Sequence, residues 1–182
     1  EQIFNMACSF QVSEAGFDHQ DKLPEAPNPE AARAVLLANA GYMKQAGAWF
    51  ETSPIEFLPI DPNDETAPTV KPPAQMAWFR ARQDVGEDVV MNQALLAYAS
   101  DHSLLGTALR PHGVTWANGV QTASLDHVVW FHRPSNFSRW HLYVQDSPSA
   151  SGARGFNRGA IYRHDGALVA STAQEGLMRK PA

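Results

Sequence analysis

Apolar and polar positions alternate along the chain with two distinct periods, and these periods divide it into elements. Residues 3–12 place Phe4, Met6, Cys8, Phe10 and Val12 at every second position with Ser9 and Gln11 between them, the period of a half-buried strand. Residues 13–31 are polar and include Pro24, Pro27 and Pro29, a proline density that forbids long regular structure. From 29 to 44 the period lengthens to that of a helix. Ala32, Val35, Leu36, Ala40 and Met43 share a face, Pro29 and Glu30 suit a first turn, and Asn39 is the one polar intruder. A short strand is predicted over 55–60. An exposed loop is predicted over 61–73, where Asp61-Pro62-Asn63-Asp64 and Pro72-Pro73 fall.

Regular elements are denser in the second part of the chain. A strand over 75–82 leads through Gly86 into a long helix over 88–109, with Val89, Leu95, Leu96, Tyr98, Ala99, Leu104 and Leu105 on its buried side and Asp88 at its start. Four strands follow, over 121–132, 140–145, 153–163 and 167–178, separated by the turn signals Pro134-Ser135-Asn136, Ser147-Pro148 and Asp165-Gly166. One long helix ahead of a run of antiparallel strands is an α+β pattern, and its economical packing lays the helix across one face of the sheet. A faint internal repeat matches Met6-Ala7-Cys8-Ser9-Phe10-Gln11 to Val169-Ala170-Ser171-Thr172-Ala173-Gln174.

Composition narrows the class. A chain of 182 residues that is 44% hydrophobic can bury a substantial core, enough for one domain or one and a fraction. With 14 basic against 19 acidic side chains it lacks the clustered positive charge of a phosphate-backbone binder, so no nucleic-acid partner is expected. Cys8 is the sole cysteine, which excludes an intrachain disulfide and a Cys-rich metal site and fits a reducing compartment; it reads as a small core residue of its strand. No run of about 18 apolar residues is present to span a bilayer. The start lacks the regions of a signal peptide and the end is not a Ser-Lys-Leu address, so a soluble cytoplasmic protein is expected. The opening strand has no preceding element to pair with, and a lone strand is not stable in water. Its partners are expected from elsewhere in this chain or from a longer protein of which it is a fragment.

Three segments in order, LDHVVWFHRP over 125–134, SASGARG over 149–155 and LVASTAQEGLMR over 168–179, resemble the C-terminal repeat of type II acyl-CoA thioesterases. LAYASD over 96–101 and LRPHG over 109–113 are similar to that family's long helix and the loop after it, so the likeness covers nearly all of 74–180. Members of the family carry two hot-dog repeats in one polypeptide, and IFNMACSFQVSEAGFDH over 3–19 resembles the last strand and exit of the first. The resemblance implies half of a double hot-dog, an antiparallel sheet wrapped around a long central helix. Residues 1–12 would then be the last strand of an otherwise missing N-terminal repeat, 13–53 a linker with one helix, and 54–182 the catalytic domain. It further implies hydrolysis of fatty acyl-CoA by an activated water, with no cofactor. The expected partners are the acyl-CoA substrate, the missing repeat or a second chain, and further copies in a homo-oligomer.

Carried over by motif, the family's acid, hydroxyl and amide fall on Asp101, Ser124 and Gln174. The usual hydroxyl residue is threonine, and Ser124 lacks the β-methyl that restricts its rotamer. Water is a poor nucleophile that needs a carboxylate to take its proton and hydrogen-bonding partners to fix its direction, and these three side chains supply both without a covalent intermediate. His112 and Gly113, in the loop after the helix, are candidates for substrate contact. Arg154 and Arg158 are candidates for the coenzyme A phosphates, which suit guanidinium forks. The aromatics Trp116, Trp130, Phe131, Phe137 and Trp140 read mainly as core or interface. His127 and His132 fall on opposite faces of the strand predicted over 121–132, which excludes a shared metal, and His102 stands beside the acid as an exposed helix residue that could tune it. Two rivals remain: a non-catalytic module that binds acyl-CoA or stabilises a partner, and a hot-dog dehydratase, whose site is expected to pair a His with an acid.

Overall fold

The computed structural model describes Ile3 and residues 5–180. Its first two helices begin where asparagine side chains replace missing backbone partners. Asn28 accepts from the Ala31 N–H at 2.8 Å and starts α1 (Pro29–Ala38). Asn39 ends α1 and starts α2 (Ala40–Thr52), its side chain accepting from the Tyr42 N–H at 2.9 Å. The single helix expected over 29–44 is therefore two, and its polar intruder is the joint between them.

All paired strands are antiparallel. β1 (Ile55–Pro59), β2 (Ala74–Ala81), β5 (His141–Ser151), β6 (Arg154–Arg163) and β7 (Leu168–Arg179) lie side by side in that order, and β3 (Gln121–Ser124) and β4 (Val128–Phe131) both pair with β7 at the far edge. Strand alternation sends Phe57, Phe79 and Tyr143 to one face and Leu58, Trp78 and Leu142 to the other. The first face packs on α3 (Val89–Leu104) through Leu96, Ala99 and Leu104, and the second on α1 and α2 through Ala32, Leu36 and Phe50. Covering on both faces is why all five residues of β1 are buried. The long helix laid across an antiparallel sheet is the α+β, hot-dog layout.

The buried stripe of α3 and of α4 (Gly106–Leu109) runs through Asn92, Leu96, Ala99, Ser100, Ser103, Leu104 and Thr107 at helical spacing. Polar side chains supply much of it, so the apolar residues alone misplace the face. Val89 and Tyr98, expected inside, are exposed. The polar members bond to the sheet and its loops. Asn92 Oδ1 accepts from the Phe137 N–H at 2.6 Å, and Gln145 donates to Ser103 Oγ at 2.6 Å and accepts from Thr107 Oγ1 at 3.0 Å. Gly155 and Gly176 face each other beneath this helix, and side chains there would run into Ala108 and Leu105, so their absence sets how closely helix and sheet approach.

Other expectations fail for identifiable reasons. Ile3 and residues 5–12 form no strand, and Met6, Cys8, Phe10 and Val12 are exposed; alternation makes a strand only where an edge and a covering layer are available. Phe4 lies outside the described residues. Cys8 is thus a surface residue, and only the second member of the faint repeat is a strand. Ser147-Pro148 is no turn: β5 runs on through a register shift between Asp146 and Ser149, where proline's missing N–H is tolerated, and reverses at Gly152-Ala153, with φ of 57° and 59°. The strand expected over 121–132 is broken at 125–127. Ser124 pairs with Gly176 and Val128 with Ala173, so three residues of this edge oppose two of β7. His127 lies in that bulge and His132 just beyond β4, so they do not share a strand.

Two further buried polar groups lie within the sheet, one on its edge strand β1 and one on the central strand β5. Glu56 is buried on β1 and holds Arg80 at 2.9 Å together with Arg33 of α1 and Arg82, which ties α1 to the sheet. His141 is wholly buried on β5 among Phe79 and Phe137, with Nδ1–H donating to Arg139 O at 2.8 Å. Burial pushes its pKa down to about 4. Since the unfolded chain takes the proton near pH 6.5, the contribution of this residue is complete above that value and is lost as the pH falls toward 4. The shift corresponds to on the order of 3 kcal/mol. Urea unfolding between pH 7 and 4 is expected to show this loss, and His141→Phe to flatten it.

Candidate active site

The site forms where α3 crosses the far edge of the sheet. Gln174 on β7 is wholly buried and points toward α3 on the same side of the strand as Thr172 and Gly176. Its amide nitrogen donates to Asp101 Oδ1 and, at 3.1 Å, to Ser124 Oγ. Ser124 stands on β3 opposite Gly176, which turns its hydroxyl to the same side, and it donates to Asp101 Oδ1 at 3.1 Å. Asp101, one residue beyond the buried Ser100, keeps a half-exposed carboxylate. The three side chains singled out in the sequence thus meet at one carboxylate oxygen. Two hydrogen bonds hold the Ser124 hydroxyl and compensate for the β-methyl it lacks.

A fourth residue joins them, which the sequence pattern offered only as a metal ligand. His127, carried inward by the 125–127 bulge, has Nδ1 at 3.3 Å from Gln174 Nε2 and Nε2 at 2.8 Å from Ser100 Oγ. Its Nδ1 is 3.9 Å from Asp101 Oδ1. Burial draws its pKa down, opposed by the charges of Asp101 and Asp126. Ser100 is fixed in turn: Oγ–H donates to Ala97 O at 2.9 Å, and its carbonyl accepts from the Tyr143 hydroxyl at 3.0 Å. Burial holds the Tyr143 phenol far above its ordinary range, so it stays a donor. A strand pattern assigns His127 a face by counting and does not register an extra residue, which is why it went unseen.

The remaining candidates separate. His112 and Arg154 line a cavity of about 840 Å³ together with Leu109, Val120, Met178 and Lys180. Met178 lies four residues along β7 from Gln174, roughly 13 Å at strand rise. Gly113 does not line it; with φ 60° and little room for a side chain beside Val70, it closes the turn after Arg110–His112. Arg158 lies outside it, paired with Asp146 on the surface, and Arg154 shares its charge with Glu175 at 3.1 Å. His102 turns away from Gln174 and stacks on Trp49 of α2, ring centroids 4.4 Å apart, where partial covering lowers its pKa. Trp49, Tyr98, Asp101 and His102 border a smaller cavity of about 210 Å³. Of the aromatics, Phe137 is core, whereas Trp116, Trp130 and Phe131 are exposed.

The sequence pattern of the acyl-CoA thioesterase family matches residues 56–177, which include all four of these side chains. The chain belongs to the acyl-CoA thioesterase family. It is 36% identical to acyl-CoA thioesterase 2 of Haemophilus influenzae over 97% of this chain and 64% of that protein. Against human acyl-coenzyme A thioesterase 8 it is also 36% identical, over 97% of this chain and 59% of that protein. Among solved structures, acyl-CoA thioesterase II TesB2 of Mycobacterium marinum superposes with a TM-score of 0.73 at 37% identity, covering 94% of this chain and 61% of that one. A hot-dog protein of unknown function from Alicyclobacillus acidocaldarius superposes at 0.66 with 18% identity, covering 94% of this chain and 60% of that one, a likeness of fold alone. The chain spans about three fifths of the length of the thioesterases it matches.

At this site the amide of Gln174 is neutral by necessity. Gln174→Glu would set a second carboxyl, shut off from water, against Asp101, and two such groups cannot both ionise. The pair then keeps a proton that the unfolded chain releases near pH 4.3. The variant is expected to match the parent in stability near pH 4 and to lose stability as the pH rises toward 8. Urea unfolding across that range checks it, and a pH-independent difference refutes it.

Proposed function

We propose that the protein hydrolyses fatty acyl-CoA thioesters to a free acid and coenzyme A, with Asp101 as general base. The observation that carries this reading is the convergence of Ser124 and Gln174 on Asp101 Oδ1 inside a chain of the thioesterase family. A water seated at the half-exposed carboxylate gives its proton to Asp101 as its oxygen attacks the thioester carbonyl. Collapse of the tetrahedral adduct breaks the C–S bond, and the thiolate takes the proton back from Asp101. Ser124 and Gln174 act as neutral partners that fix the carboxylate, and no acyl-enzyme forms. His112 and Arg154, in the larger cavity, are proposed to meet the coenzyme A portion. Arg158 and Gly113 have less support, since neither lines that cavity.

One observation favours a second reading. Asp101 and His127, 3.9 Å apart, form the His and acid pair expected of a dehydratase. Both ring nitrogens of His127 are engaged, however, one with Ser100 and the other with Gln174, which leaves none to face a substrate. The thioesterase reading also includes a covering partner. Tyr98, Val128, Trp130 and Phe131 are exposed, and an apolar edge of this kind suits a further hot-dog unit, in the same polypeptide or in a second chain.

Free-thiol release from a panel of acyl-CoAs tests the activity. Asp101→Asn is expected to lower kcat by about 10²- to 10⁴-fold, the usual contribution of a general base. Intact turnover in that variant sinks the assignment, and conversion of a 3-hydroxyacyl-CoA to its enoyl product without thiol release would support the dehydratase. For the covering partner, sedimentation of this chain alone is expected to show association; a well-folded monomer overturns it.

A further inference from the structure

We propose that His127 is a positioning residue, which holds the Gln174 amide with its N–H edge toward Asp101 by accepting from it at Nδ1. Hydrogen-bond accounting carries the inference. Ser100 Oγ has one hydrogen, and Ala97 O lies 2.9 Å away to receive it. The oxygen therefore accepts from His127, whose Nε2 is 2.8 Å distant and must carry the ring proton. Nδ1 is then a lone pair, and the group it meets at 3.3 Å is Gln174 Nε2.

Gln174 has two N–H bonds and three acceptors: Asp101 Oδ1, Ser124 Oγ and His127 Nδ1. One N–H serves the carboxylate and the second is shared between the hydroxyl and the ring. A flipped amide would set its carbonyl oxygen against the Asp101 carboxylate and the His127 lone pair, two repulsions on a buried side chain. The relay from Ala97 through Ser100 and His127 thereby fixes which end of Gln174 meets the acid. Its origin is the α3 backbone that also carries Asp101, so helix and strand are referenced to each other.

The inference rests on the hydrolase reading for its kinetic test and on NMR for a test independent of it. His127→Phe keeps the ring and removes both nitrogens. His127→Asn returns an acceptor, Oδ1, at the place of Nδ1. His127→Gln reaches Ser100 and returns no acceptor to Gln174. His127→Phe and His127→Gln are expected to lower kcat about 100-fold with KM within about twofold, since a misplacement of about 1 Å costs this much. His127→Asn is expected to recover most of the loss. Wild-type kcat in His127→Phe, or equal rates for the Asn and Gln variants, overturns the proposal. If the wild-type protein releases no thiol from any acyl-CoA, the hydrolase reading falls and NMR decides this one. The wild-type imidazole ¹⁵N shifts should report the Nε2–H tautomer, and the Gln174 side-chain N–H signals should move in His127→Phe and return in His127→Asn. An Nδ1–H tautomer, or Gln174 signals unmoved by either substitution, refutes the contact.

Discussion

An amide side chain closed off from water has to find its partners within the protein, and the partners of Gln174 organise one edge of this molecule. Its two N–H groups draw in a carboxylate from α3, a hydroxyl from β3 and an imidazole from the 125–127 bulge. Each comes from a different element, so the elements can be joined in one way only. Burial of the amide strengthens these bonds, and because its carbonyl oxygen has no partner among the described residues the side chain is held through its N–H edge alone. Gln174 itself is buried, whereas Asp101 and Ser124 reach solvent, so the three together join a fixed interior to the surface.

The same logic governs how α3 is seated. Purely apolar contacts between a helix and a sheet tolerate small slides and rotations; directional bonds do not. Asn92 and Ser103 fix α3 along its length, while Thr107 of α4 and the close approach of Gly155 and Gly176 to Ala108 and Leu105 seat its C-terminal continuation. The position of Asp101 follows from both. On the opposite face α1 and α2 close the second core over β1, β2 and β5, and Glu56 with its arginines ties α1 there, so this end of the sheet is covered on both sides while the site lies at the other end.

Much of this was legible in the sequence where one local signal decides the outcome. The strands at 55–60 and 75–82, the Asp165-Gly166 turn and the long helix all follow from period, cap or turn chemistry. The catalytic candidates were legible through motif resemblance and not through composition: nothing local distinguishes Gln174 from an ordinary strand residue. Errors arose where the outcome depends on something distant. The alternation found no sheet edge at Ile3 or residues 5–12, Tyr98 lost its place inside to Ser100, and Ser147-Pro148 was absorbed as a bulge because β6 continues alongside it. His127 is the clearest case, since its location depends on a count of residues opposite β7 that no single-strand pattern contains.

That count has a consequence for how this edge tolerates change in length. Because three residues oppose two at the bulge, the inward phase switches from the even position Ser124 to the odd position Val129, which packs against the α3 core. The segment 125–127 acts as a gear between two halves of one edge, allowing a polar tooth and an apolar tooth to mesh with the same helix. Substitution within it leaves the gearing intact. Removal of a single residue would set two residues against two and merge β3 and β4 into one regular strand, with Val129 still opposite Thr172 but without the extra position that carries His127 inward.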